Sequence, residues 1–150
     1  MVTQAVVLDA GPLGLATNPR RSSQNLACAK WLQGLVAAGV RVIVPEITDY
    51  EIRRELILGS KAKGIAKLDA LIKLVEYLPI TTAAMRQAAV FWADARRKGR
   101  PTAGDKTIDA DMILAGQAKT LGSAVVIATT NVGHLARFVD AKLWEEIRIS

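Results

Sequence analysis

Residues 5–17 read AVVLDAGPLGLAT, and the reading of this stretch decides the fold. The run QAVVLD, residues 4–9, has the length and β-branched content of a short strand buried on both faces. It ends in a lone carboxylate, Asp9, and the segment GPLG then breaks the strand. An acid is costly to bury, so Asp9 either caps the next element or holds something. The glycines make no nucleotide loop. GPLGLA is not G-x-G-x-x-G, Pro12 lacks a donor N–H, and no Lys-Ser or Lys-Thr follows.

Working outward, the apolar stripe Leu26, Ala29, Trp31, Leu32, Leu35 and Val36 predicts a helix from Ser22 or Ser23 that ends at Gly39. VRVIVP (40–45) reads as a second strand closed by Pro45. Thr48, with Glu51 three residues on, has the register of a capping box. Helices are expected over 49–59 and 64–77, with a very short strand at 78–80. Thr81 or Thr82 starts another helix, whose basic C-terminal end suits the helix dipole. A loop over 100–106 leads to a helix over 107–122 and a strand over 123–129. A loop with a helical turn (130–138) and a last strand, EEIRIS, complete the chain. Strands alternating with helices imply an α/β fold with a mainly parallel sheet.

The 150 residues suit one domain, spanning 1–150, with a hydrophobic fraction of 51% and a charged fraction of 23%. A net charge of +6 favours a polyanionic partner such as nucleic acid. Cys28 is the only cysteine, which excludes a disulfide framework and a cysteine zinc site. The N-terminus lacks the basic region of a signal peptide, and no uncharged run has the length of a membrane span. A soluble, cytoplasmic protein is expected.

In parallel sheets, ligands bind outside the carboxyl ends of the strands. Asp9 ends the first strand, and Glu51 lies on the helix after the second. Asp109 and Asp111 lie in the first turns of the helix before SAVVIAT, and Asn131 lies just beyond that strand. These are oxygen donors, which select hard cations such as Mg²⁺ or Mn²⁺. Each also has a plainer reading: Asp9 as a turn former or cap, Glu51 as half of the capping box, Asn131 as a turn residue. Asp109 and Asp111 stand about 200° apart on an ideal helix, so both can hardly face one site. Asp111, entering the core at DMILA, is preferred as the ligand, and Asp109 as a cap or a support to the ligands. His134, the only histidine, reads as a surface loop residue. No serine has the G-x-S-x-G setting of a hydrolase nucleophile.

The set VVLDAGPL, VPEITDYEIRREL, DADMILAGQA and IATTNVGHLARF resembles, in order, the PIN domain and in particular the VapC-type toxin ribonucleases. The resemblance covers nearly the whole chain. It implies a three-layer α/β/α fold with the acids gathered at the carboxyl edge of the sheet. It places the family's first acid on Asp9, the second on Glu51 within ITDYE, the third on Asp111 within DMILA, and the fourth position on Asn131. Thr129 and Thr130 flank that last position, where the family can use a hydroxyl. Gly11 departs from the frequent D-x-S or D-x-N form. The resemblance implies Mg²⁺- or Mn²⁺-dependent hydrolysis of RNA, with Asp9, Glu51 and Asp111 holding the metal.

An RNA backbone needs a basic approach. Arg53 and Arg54, beside Glu51, are the first candidates; Lys61, Lys63 and Lys67 follow, and Arg96, Arg97, Lys98, Arg100 and Lys106 form a second group. Tyr50 and Trp92 are the aromatics available for stacking, whereas Trp31, Phe91 and Phe138 read as core. The resemblance further implies a homodimer and a small antitoxin protein, laid into a groove near the acids formed by the helices at 22–39 and 46–76. Gly11 and Asn131 motivate an alternative, a catalytically weak or inactive PIN module that binds RNA or a protein partner. A haloacid-dehalogenase-type phosphatase needs a second Asp where Gly11 stands, which sets that reading aside.

Overall fold

The structure, a computed structural model, describes residues 4–98, 105–133 and 135–148, and for residues 105–108 the backbone alone. His134, Arg100 and the start of the 100–106 loop lie outside the described residues, as does the side chain of Lys106. The elements run β1 (Ala5–Leu8), α1 (Ala10–Thr17), α2 (Ser23–Ala37), β2 (Val42–Pro45), α3 (Glu46–Leu58), α4 (Ala62–Leu74), β3 (Glu76–Leu78), α5 (Thr82–Arg97), α6 (Asp105–Thr120), β4 (Val125–Thr129) and β5 (Ala141–Leu143). The five strands form one sheet in the order β3-β2-β1-β4-β5, and every pairing is parallel.

β1 is apolar throughout because both of its faces are covered. Ala5 and Val7 enter one core with Ile43, Phe91, Met112, Leu114 and Ile127, under α5 and α6. Val6 and Leu8 enter the other with Leu13, Leu32, Val44 and Leu68, under α1, α2 and α4. Side chains alternate along a strand, so two adjacent residues feed opposite cores. This is the three-layer α/β/α arrangement, with a parallel sheet, that the sequence leads one to expect. On one face, α5 and α6 approach closely: a Cβ on Gly116 would stand 3.1 Å from the backbone nitrogen of Ala88.

Several local expectations are corrected. GPLG does not leave a loop. It lies within α1, because Pro12 is tolerated in the first helical turn, where its missing N–H is not needed. Thr48 is not a cap, since α3 already begins at Glu46 behind Pro45. Its hydroxyl is fully buried and donates to the carbonyl of Leu8 at 2.9 Å. The helix start is served instead by Gln117 of α6, whose Oε1 accepts from the Ile47 N–H at 3.2 Å. The second short strand, β3, sits at 76–78 rather than 78–80. Helix α6 begins at Asp105, two residues earlier than expected. The described part of EEIRIS is not a strand. Trp144–Glu146 form a 3₁₀ turn, Ile147 is buried, and its carbonyl accepts from Trp31 Nε1 at 2.8 Å. The fifth strand is the preceding segment, β5, paired through Ile127↔Ala141 to Thr129↔Leu143. Among the described residues, no helix is long and apolar enough to cross a membrane.

Candidate active site

The strand order turns in opposite directions on the two sides of β1, with β2 on one side and β4 on the other. The carboxyl ends of β1 and β4 therefore border the crevice where such sheets bind ligands. Asp9 leaves the end of β1, its N–H donating to the carbonyl of Ala128 in β4 at 3.0 Å. Its two carboxylate oxygens have different work. Oδ1 accepts from the Ala10 N–H at 2.7 Å and so caps α1. Oδ2 accepts from the Thr129 hydroxyl at 2.7 Å, across the β1–β4 boundary. The cap and the site are thus one residue. Burial raises the Asp9 pKa, against the opposing effect of those two hydrogen bonds.

Glu51 reaches the same place through Thr48. The Thr48–Leu8 hydrogen bond docks α3 on the end of β1, and Glu51, three residues later, stands on an adjoining part of the same helical face. Its pKa is raised to about 7, first by burial and then by the charges of Asp9 and Asp111; Arg54 acts in the opposite sense. Three sequence-distant carboxyl groups therefore share one field. Asp111 is half-buried on α6.

Thr129, fully buried at the end of β4, organises the edge. Beyond its bond to Asp9, its hydroxyl accepts from the Asn131 N–H at 3.1 Å. Asn131 itself is exposed, with its side-chain oxygen toward Gly133. Thr130, also exposed, packs against Gly11. Asp109 is corrected from cap or support. It is the fifth residue of α6, too deep to cap it, and it lines an exposed groove with Trp92 and Met112 instead.

The two arginines differ. Arg53 contacts Asp49 at 3.0 Å and Asp69 at 2.8 Å, which ties α3 to α4. Tyr77 adds a hydrogen bond to Asp49 at 3.0 Å. Arg53 is therefore engaged in the scaffold rather than presented to a ligand. Arg54 lies 5.2 Å from the ring centre of exposed Tyr50 and is close enough to act on Glu51. Sequence reading missed Gln117, which is fully buried and also donates to the Leu78 carbonyl at 2.8 Å. Its polar type amid the apolar run of α6 was the one available signal.

An all-oxygen set suits a hard divalent cation, and the like charge that raises the Glu51 pKa is what such an ion would offset. Among the described residues, no three acidic, histidine or cysteine side chains converge closely enough to form a ready cage. Mg²⁺ does not require one, because it keeps several waters and takes one or two carboxylates.

An acid-edged, all-parallel α/β fold of this kind has known counterparts. The structure is similar to a chain of VapBC2 from Rickettsia felis, solved bound to a DNA fragment from their promoter, with a TM-score of 0.71 and 17% identity over 93% of this chain and 98% of that one. It is similar to FitAcB from Neisseria gonorrhoeae, with a TM-score of 0.68 and 21% identity over 95% and 99% of the two chains. VapBC-1 from nontypeable Haemophilus influenzae gives a TM-score of 0.69 and 19% identity over 95% and 99%. No family model and no curated protein sequence matches the chain. The likeness extends over nearly the full length of both partners, and the PIN-like fold implied by the sequence resemblance is borne out.

Proposed function

We propose that this protein is a metal-dependent endoribonuclease and the toxin of a toxin–antitoxin pair. The observation that carries the reading is the shared field of Asp9, Glu51 and Asp111, which raises the Glu51 pKa to about 7 at the sheet's carboxyl edge. Asp9, Glu51 and Asp111 would hold Mg²⁺ or Mn²⁺. When bound, such an ion supplies Lewis acidity at the phosphodiester and a water acidified for in-line attack. Thr129 fixes the orientation of Asp9 by donating to Oδ2. Asn131 stands at the exposed rim, where its amide can donate to RNA. Arg54 and Tyr50 offer a cation and an aromatic face beside Glu51, the pair of chemistries that single-stranded RNA meets in its binding grooves.

The test is cleavage of structured and unstructured RNAs in Mg²⁺ or Mn²⁺, with Asp9→Asn in parallel. Metal-dependent cleavage that the substitution abolishes is expected. Cleavage without metal, or unchanged in the variant, rejects the site. The lack of a ready cage among the described residues favours the alternative, a catalytically weak module that binds RNA or a partner. RNA binding with no cleavage in either metal selects it.

The fold neighbours come from complexes titled VapBC and FitAcB, which supports an antitoxin partner for this chain. The surface offered is a groove of about 440 Å³ between α1, α2 and α4, lined by Ala16, Leu32, Val36, Lys67, Leu71 and Leu74. Leu74 is 75% exposed there, and Val36 41%. An amphipathic helix could lay its apolar face on it. The groove begins about 10 Å along α1 from Asp9, farther from the acids than the sequence suggested. For the proposed homodimer, exposed Met85 and Trp92 on the α5–α6 face supply an apolar contact, and gel filtration with light scattering tests it. A cytoplasmic setting belongs to the same reading.

A further inference from the structure

Gly11 is the second residue of α1, a position where glycine is a poor helix former. The structure supplies a reason for it. A Cβ on Gly11 would overlap the hydroxyl oxygen of Thr130 and stand 2.6 Å from its Cγ2 and 3.0 Å from its Cβ. The Thr130 side chain thus fills the volume that any other residue at position 11 would claim. Gly11 lies two residues after Asp9, and Thr130 follows the threonine whose hydroxyl binds Asp9. A second threonine side chain is therefore packed at the mouth of the acid site, and the backbone opposite it is bare.

The two neighbouring threonines are used differently. Thr129 is buried, with its hydroxyl donating to one group and accepting from another. Thr130 is exposed, and its hydroxyl has no hydrogen-bond partner among the described residues. A hydroxyl held in place by packing but left with an open donor is suited to a ligand. At an edge lined with carboxylates, a neutral donor can hold an anion without forming an ion pair with the acids themselves.

We infer that the Thr130 hydroxyl is a substrate-contacting group, donating to a non-bridging phosphate oxygen of the RNA strand, and that Gly11 is glycine in order to admit it. This rests on the ribonuclease reading above.

The experiment follows cleavage of a labelled single-stranded RNA by the full chain, together with its binding by fluorescence anisotropy in an Asp9→Asn background. Thr130→Val, which keeps the shape and removes the hydroxyl, is expected to weaken binding about tenfold and raise KM, with an unchanged melting temperature. Thr130→Ser recovers most of that loss. Gly11→Ala, which displaces the Thr130 side chain, reproduces the Thr130→Val defect. Gly11→Ser combined with Thr130→Gly returns a hydroxyl to the same volume from the other side and regains part of the affinity. Thr130→Val binding and cutting like the wild type overturns the inference, as does Thr130→Ser matching Thr130→Val. Those outcomes leave the ribonuclease reading standing, because the wild type still cuts. A wild type that neither binds nor cuts RNA overturns both.

Discussion

The two edges of the sheet treat their acids in opposite ways. At the amino edge, Glu76 of β3 faces Arg41 just before β2, with contacts of 2.6 and 2.9 Å, and its pKa is lowered. Asp140, before β5, accepts from Gln4 at 2.8 Å. These acids are exposed and matched to partners within the fold. At the carboxyl edge, Asp9 and Glu51 are withdrawn from solvent, share a field with Asp111, and have raised pKa values. Stability alone favours the first arrangement, since like charges brought together under burial oppose folding. The second is what a site looks like when its charge is kept for a ligand.

The sharpest way to break this contrast is Asp9→Asn. It removes the central acid of the carboxyl edge and should lower metal-dependent RNA cleavage at least about 100-fold, measured on a labelled substrate. Leu74→Glu places a charge in the apolar groove, away from both edges, at a side chain that is 75% exposed. It should leave cleavage and folding intact while weakening capture of an antitoxin helix about tenfold or more by calorimetry. Thr129→Val, which takes the hydroxyl from Asp9, should cost about tenfold in cleavage.

A smaller effect sharpens the electrostatic side. Glu51 has a pKa of about 7 in the folded protein against an ordinary 4.5, so folding favours its protonated form. The stability this provides is complete below the ordinary value and is lost as pH rises through about 7. Without divalent metal, Glu51→Gln should therefore melt about 2–4 °C above the wild type at pH 8, after allowance for solvent screening, and match it at pH 4. Added Mn²⁺ should close the gap at pH 8, because a bound cation favours the ionised carboxylate. The smallest effect belongs to the amino edge. Arg41→Ala breaks an exposed pair and should leave cleavage unchanged and melting nearly so, in calorimetry at the same pH.

Much of the fold was legible because β1, β2 and β4 are buried on both faces, and such strands must be short apolar runs wherever they occur. The acids were legible for the same reason. A carboxylate placed directly after such a run, as Asp9 is, stands out from its surroundings. Helix α1 was not legible, since Gly11, Pro12 and Gly14 speak for a turn, and only packing of Leu13 into the core makes them helical. Nor was the purpose of Thr48. Its spacing from Glu51 fits a local capping box, yet its hydroxyl is used by Leu8, forty residues earlier.

The sequence by itself determined the alternation of elements, the parallel sheet and the three acids at its strand ends, because these follow from local periodicity and position after a strand. Tertiary structure alone decided which polar groups serve the site. It assigned Thr129 to Asp9 across 120 residues, committed Arg53 to Asp49 and Asp69, turned Asp109 away, and set Thr130 into the space left by Gly11. Side-chain hydrogen bonds and close packing depend on where distant segments meet, and only the order of the strands in the sheet fixes that.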